Sequence, residues 1–221
     1  MAMSPAEIAD AYDAIADRVW ESPSLYRDAL ALARDVHGNV LDIGCGQGRF
    51  LEMLAAKKKA RSLWGCDISP KLIELAKARV PKADLRVANA LDLKGYPSNA
   101  FDFVFMIGSL EHMIEHEQAL REAARVLKRG GSLIVAVPNA SWINYEKWKI
   151  HRTEFQPVDD YWFKPEELIG LMQKVGLRVT KVRGLWALYR GNWIHQLEML
   201  TAFFIRPLHR KMKLIGVRAR K

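Results

Sequence analysis

The segment with the densest chemical content is Asp42-Ile43-Gly44-Cys45-Gly46-Gln47-Gly48. Three glycines at alternate positions let the backbone turn tightly and come close to a ligand. Nucleotide cofactors of several kinds use such loops. Two details argue against a dinucleotide. The dinucleotide fingerprint is G-x-G-x-x-G, and here the third glycine comes one residue early. Asp42, two residues before the first glycine, would oppose a pyrophosphate and favour a cationic ligand. Asp67 follows nineteen residues after Gly48, at the end of the next apolar run. A carboxylate there can accept hydrogen bonds from ribose hydroxyls. The structural alternative is a helix cap, because Ser69-Pro70 comes next. Two further segments, 88–91 and 107–112, also stand just past apolar runs.

These segments need a scaffold that ends strands at one edge. Residues 40–43 read as a short buried strand running into the glycines, and 62–67, 85–88, 101–107 and 133–137 as further strands. Helices are expected over 5–18, opened by the capping box of Ser4 and Glu7 with Pro5 in the first turn, and over 24–36 and 49–59. More helices follow over 69–79, 116–128 (stopped by Gly130-Gly131) and from 164 to about 175. Residues 177–182 and 214–219 are the last strand candidates, and 192–208 has helical spacing of apolar residues. Strands alternating with helices imply an α/β Rossmann-like doubly wound sheet, mostly parallel, of about seven strands with helices on both faces. Ligands of such a sheet bind outside the carboxyl ends of its strands.

Composition bounds the rest. The 221 residues fit a single domain, with half of them hydrophobic and 27% charged, as in globular proteins. No apolar run approaches a membrane span and no basic-then-apolar leader opens the chain, so a cytoplasmic location is expected. Cys45 and Cys66 are too few for a disulfide framework or a zinc site. The net charge of +9 is uneven: residues 168–221 carry +11 and the remainder −2. That asymmetry reads either as a surface for an acidic partner or as a solvated basic face.

The loop 40–50, the segments 65–70, 88–91 and 100–113, the stretch LREAARVLKRGGSLIVAVPN (120–139) and WFKPEELIGLMQKVGLRV (162–179) together carry a resemblance. Over residues 38–184 the sequence resembles class I S-adenosylmethionine-dependent methyltransferases, most of all the subgroup of the ubiquinone-pathway O-methyltransferases. The resemblance implies S-adenosyl-L-methionine as cofactor, S-adenosyl-L-homocysteine as product, and a last strand reversed against the others. It implies that Asp42 and the backbone of Gly44, Cys45, Gly46 and Gly48 hold the methionine end. Asp67 would take the ribose, Ile68 the adenine face, and Asn89 the adenine amino group, where the family usually has Asp. Ala90 and Leu91 would line the same pocket, Ile107, Gly108 and Ser109 would pass beneath it, and Tyr12 would close over it. Residues 1–37 would form a helical cap, 38–139 the cofactor core, and 140–165 and 185–212 acceptor-side insertions.

Methyl transfer from a sulfonium is a direct displacement, so alignment and exclusion of water dominate, and a base is needed only for a protonated acceptor. His112, past the fourth strand, is the candidate base; a hydrogen-bonded loop anchor is its structural alternative. Glu111-His112 also resembles part of a Glu-x-x-Glu-His metal motif of ubiquinone-type relatives, but Gly108 stands where its first Glu belongs, so no metal is expected. Trp142, Tyr145, Trp148 and Trp162 are the candidate acceptor-side aromatics, with core packing as the alternative. The basic surround suggested a planar or amphipathic anionic acceptor. The expected acceptor is a small molecule methylated on oxygen or nitrogen, taken by a monomer or homodimer. Nucleic acid is the second reading, although Ile107-Gly108-Ser109-Leu110 replaces the Asn/Asp-Pro-Pro-Tyr/Phe of amino-methylating nucleic-acid enzymes. A non-catalytic cofactor-binding protein is the third. The segment 192–208 with Arg206, Arg210, Lys211 and Lys213 could also lie on an anionic membrane surface.

Overall fold

A computed structural model describes residues 3–18, 22–142, 160–185 and 212–221. Its centre is one seven-stranded sheet of order β3-β2-β1-β4-β5-β7-β6. The strands are β1 (Gly38–Ile43), β2 (Ala60–Asp67), β3 (Asp84–Val87), β4 (Phe101–Ile107), β5 (Leu127–Pro138), β6 (Arg178–Leu185) and β7 (Leu214–Arg220). β7 runs antiparallel to both β5 and β6, and the pairs β1–β2, β1–β4, β2–β3 and β4–β5 are parallel. The reversed last strand is the one the resemblance implied. β1 and β4 lie side by side in mid-sheet although two strands separate them in sequence. That reversal of winding is where a doubly wound sheet opens a crevice at its carboxyl edge.

The helices are α1 (Pro5–Ala14), α2 (Pro23–Leu32), α3 (Arg49–Lys57), α4 (Pro70–Arg79), α5 (His116–Val126) and α6 (Pro165–Lys174). Ser4 and Glu7 form the expected capping box, and Ser69 caps α4 by accepting from the Leu72 N–H at 3.0 Å. Two clusters of buried apolar side chains pack on the sheet. One includes Leu41, Val104, Leu120 and Val135; the other includes Val40, Phe50, Phe105 and Ile134. Neighbouring residues of one strand enter opposite clusters, as the two-residue period of a sheet covered on both faces requires.

Three expectations change. The helix expected over 5–18 stops at Ala14, and a 3₁₀ turn, Ala16–Arg18, follows. The second helix starts a residue early and ends at Leu32. The helix expected to run to Lys128 ends at Val126, and β5 starts at once, without using Gly130-Gly131 as a stop. Leu127 pairs with Phe101, and the Lys128 ammonium reaches Asp102 at 2.8 Å, so tertiary pairing overrides helix propensity there.

Part of the basic C-terminal region is absorbed by the fold, while Arg178, Lys181 and Arg220 stay exposed. Arg218 pairs with Asp35 at 2.7 Å and donates to Ser132, while Lys221 donates to Asn99 and to the carbonyl of Leu127. Lys174 meets Glu117 at 2.6 Å. Residues 192–208, Arg210 and Lys211 lie outside the described residues. Among the described residues no helix is long and apolar enough to cross a membrane.

Candidate functional site

The glycine loop leaves β1 at the carboxyl edge and enters α3. Four of its N–H groups already have partners. Gly44 and Cys45 both donate to the Cys66 carbonyl (2.8 and 2.9 Å), Gly48 donates to that of Cys45 (2.9 Å), and Gly46 donates to Asp67 Oδ2 (2.9 Å). A phosphate cradle needs such N–H groups free and pointing at the ligand. This loop instead turns them inward. Gly44, at φ +75°, is backed by Ser109: a Cβ on Gly44 would lie 2.4 Å from the Ser109 Cβ. The Ser109 hydroxyl donates to the Ile43 carbonyl at 2.9 Å, so Ser109 props the loop from below. Gly46, at φ +51°, has nothing within 4 Å of where its Cβ would stand, leaving the loop's outer face open.

Two carboxyls flank that face. Asp42 is 2% exposed, and burial, aided by the charge of Asp67, pushes its pKa up to about 8. Asp67 is raised as well, by burial first, although the N–H groups of Ser69, Gly46 and Ile68 pull the other way. Asp67 Oδ1 accepts from Ser69 N at 3.0 Å, so this side chain ties the loop to the start of α4 while Ser69 itself is the cap. No cation appears among the influences on either carboxyl. A positively charged ligand would relieve both; an anionic one would worsen both.

Asn89 Oδ1 accepts from the Leu91 N–H at 3.0 Å, which fixes the side chain in a local turn and leaves the oxygen's second lone pair and the amide NH₂ for a ligand. Ile68 is half-buried, Ala90 and Leu91 pack partly buried against the core, and Ile107 is buried at the end of β4.

The N-terminal residues are fastened to this site by contacts that the sequence did not announce. Asp13 accepts from the Ser69 hydroxyl and from Lys71 N, and Gln47 Nε2 donates to the Ala16 carbonyl at 2.6 Å. Arg79 donates to the Gln47 carbonyl at 2.9 Å. Tyr12, on α1, lies edge-on to His112 with ring centres 6.0 Å apart. Its phenol pKa is raised by burial and then by Glu111, Asp160 and Asp67, so Tyr12 stands where the cofactor side and the far side meet.

The far side is built on the 3₁₀ turn Leu110–His112 after β4. His112 Nδ1 lies 3.3 Å from Asp160 Oδ1, and burial lowers the imidazole pKa to about 4. Glu111 is 6% exposed, its Oε2 has no hydrogen-bond partner among the described residues, and burial followed by Asp160 raises its pKa. Its Oε1 is 3.9 Å from the place of a Gly108 Cβ, so Gly108 leaves the carboxyl room. Residues 160–163 run beside this turn: Tyr161 N donates to the Glu111 carbonyl (3.0 Å) and Phe163 N to that of Pro138 (3.1 Å). Trp142 and Trp162 stack with centroids 6.2 Å apart, and the Lys213 ammonium sits 5.5 Å from the Trp142 centroid. Tyr145 and Trp148 lie outside the described residues. Among the described residues no group of three or more His, Cys, Asp or Glu is arranged to hold a metal ion. Asp13 and Asp160 belong to no sequence motif, and nothing local marked them; Lys213 was marked only as part of a basic cluster.

The comparisons follow the geometry. Residues 41–135 match the family model described as a methyltransferase domain. The 27-O-demethylrifamycin SV methyltransferase of Amycolatopsis mediterranei is 34% identical over 158 residues, 59% of this chain and 57% of that protein. A ubiquinone biosynthesis O-methyltransferase of Xanthomonas axonopodis is 26% identical over 80% of this chain and 82% of its own. The solved complex of the Haloferax volcanii Trm112 methyltransferase activator with a methyltransferase contains a chain of the same fold, with TM-score 0.72, 20% identity and 96% of both chains covered. The matches to three curated relatives span between 36 and 57% of those proteins' lengths. Residues 41–135 are therefore similar to a methyltransferase domain, a type that uses S-adenosylmethionine, and the sheet has the fold of solved methyltransferases. The residues fit that cofactor: an open loop face between two buried, raised carboxyls suits a sulfonium that also bears an α-ammonium.

Proposed function

We propose that the protein transfers a methyl group from S-adenosylmethionine to a small-molecule acceptor, on oxygen or nitrogen, by direct displacement. The observation that carries this reading is the pair Asp42 and Asp67 beside a glycine loop whose N–H groups face inward, a cation-receiving arrangement at the carboxyl edge of the sheet. When bound, the cofactor supplies a methyl group already activated on sulfur. Asp42 and the loop carbonyls hold the ammonium end. Asp67 takes the ribose while keeping the loop tied to α4. Ile68, Ala90 and Leu91 pack the adenine, with the Asn89 amide toward its edge. Tyr12 and the contacts of Asp13 and Gln47 keep the N-terminal helix over the site and exclude water. His112, neutral above about pH 4, receives a proton where the acceptor carries one to lose. Residues beyond Pro138 form the acceptor side, with Trp142 and Trp162 as a stacked wall.

The names of the two relatives above, an antibiotic precursor methyltransferase and a quinone-pathway O-methyltransferase, support a small-molecule acceptor. Calorimetric titration with S-adenosylhomocysteine tests the reading. Binding is expected, with Asp67→Ala weakening it at least about tenfold, since hydrogen bonds to a charged group are lost. No binding, or equal binding by the variant, overturns it.

A further inference from the structure

The candidate site uses only the carboxyl edge of the sheet. The opposite edge, where the parallel strands start, gathers cations from stretches far apart in sequence. Lys82 stands just before β3, Lys57 and Lys58 just before β2, and Arg34 before β1. Arg129 lies near the start of β5, and Arg178 opens β6. All six are exposed, and none forms an ion pair among the described residues. In the order β3-β2-β1-β4-β5-β7-β6 they run from one end of the seven-stranded sheet to the other, a row of roughly 29 Å at the usual strand spacing. The acids of that edge are already held: Asp35 by Arg218, Asp84 by Arg86 and Asp102 by Lys128.

The row stands against its own repulsion. Arg178 lies directly opposite Arg220 on β7, and burial and then the charge of Arg129 lower the Lys221 pKa. Like charges facing each other across a strand pair destabilise it. Protection of a free sheet edge accounts for a cation on β6, an outermost strand. It does not account for those at the starts of β1, β2 and β5, which have neighbours on both sides. Among the described residues the exposed large apolar side chains are Val87, Ile114 and Tyr161, and all three belong to the carboxyl edge. The row therefore lacks the apolar centre of a protein interface and the apolar face that enters a bilayer. It also lacks an exposed aromatic on which a base could stack. What it matches is a chain of regularly spaced phosphates, held by charge through the release of counterions.

We propose that the amino edge of the sheet binds the phosphate backbone of a nucleic acid without reading its bases. Roughly 20 Å, the length of the seven-residue β4, separates this edge from the cofactor edge. The nucleic acid is thus a docking partner and not the methyl acceptor, and the two edges are occupied independently.

The test is the fluorescence anisotropy of a labelled, mixed-sequence single-stranded RNA of roughly 20 nucleotides, long enough to span the row. Binding is expected at about 50 mM salt, with affinity falling about tenfold or more by about 200 mM. Lys82→Glu, Arg129→Glu and Arg178→Glu should each weaken it at least about fivefold. Lys164→Glu, the same change of net charge at the start of α6, should leave it within about twofold. Thermal unfolding checks that each variant is folded, and where a reversal unfolds the chain, Gln is read at that position. Saturation with S-adenosylhomocysteine should leave RNA affinity unchanged. No RNA binding at the lower salt, an equal loss in Lys164→Glu, or displacement of the RNA by S-adenosylhomocysteine overturns the proposal. Sedimentation with phosphatidylserine vesicles in the absence of RNA binding would assign the row to a membrane surface and overturn it too.

Discussion

The two sides of the sheet's carboxyl edge are built on opposite terms. On the cofactor side the polar groups find partners within a few residues or across one strand pair. The loop N–H groups reach Cys66, Cys45 and Asp67, and Asp67 holds Ser69 in turn. The Arg79 guanidinium of that side is turned to the Gln47 carbonyl. On the acceptor side the groups converge from four distant stretches, at positions 12, 111–112, 160 and 213. There a carboxyl oxygen, Glu111 Oε2, is left without a hydrogen-bond partner among the described residues. A preorganised cofactor site can afford to be complete, because every turnover uses the same ligand. An acceptor site that leaves polar atoms unsatisfied takes its specificity from the molecule that satisfies them.

The comparison can be broken most forcefully at the glycines. Gly44→Ala forces a side chain at φ +75° into Ser109. It should cost ~2–4 kcal/mol of stability and abolish cofactor binding together, read by thermal unfolding and calorimetry. Gly46→Ala meets open space at φ +51°. It should cost only ~1 kcal/mol of stability, yet weaken cofactor binding by about tenfold or more, because the space it fills is the ligand's. If both variants lose stability equally, the loop's outer face is not a binding face.

A second measurement separates the sides by their protons. Asp42 is raised to about 8, above its unfolded value. In the empty protein its contribution to stability is therefore full below about pH 4 and is lost as pH rises toward 8. The α-ammonium of a ligand held beside Asp42 lowers that pKa and expels the proton. Affinity for S-adenosylhomocysteine should thus rise with pH between about 5 and 8, by at most about tenfold per unit for one linked proton, with proton release seen by calorimetry in two buffers. His112 behaves oppositely. Its pKa is lowered to about 4, so its contribution to stability is present above about 6.5 and is lost as pH falls toward 4. A cofactor affinity flat from pH 5 to 8 would remove the distinction between the two sides. The smallest expected effect is Ser109→Ala: loss of the 2.9 Å bond to Ile43 should cost about 1 kcal/mol and loosen the loop, leaving acceptor binding unchanged.

Much of the cofactor side was legible beforehand. β4 falls on the residues expected, and Asp42, the glycines and Asp67 stand together where their spacing put them. The turn that holds the Asn89 side chain was not legible, because a local side-chain-to-backbone hydrogen bond is invisible in a motif. The boundary at Val126–Leu127 was misread because pairing with Phe101 decided it.

The sequence by itself determined the class of cofactor, a cationic and ribose-bearing one, and the family resemblance supplied its name. Positive-φ turns, a carboxylate before them and an acid at the next strand end are all local, and a contiguous segment encodes them whatever the rest of the chain does. Only the tertiary structure decided the acceptor side. Tyr12, Glu111, His112, Asp160 and Lys213 lie far apart in sequence; they meet because α1, the turn after β4, the 160–163 stretch and the start of β7 pack together. Burial then sets their protonation, leaving Glu111 raised and His112 neutral, and no residue type announces its own burial.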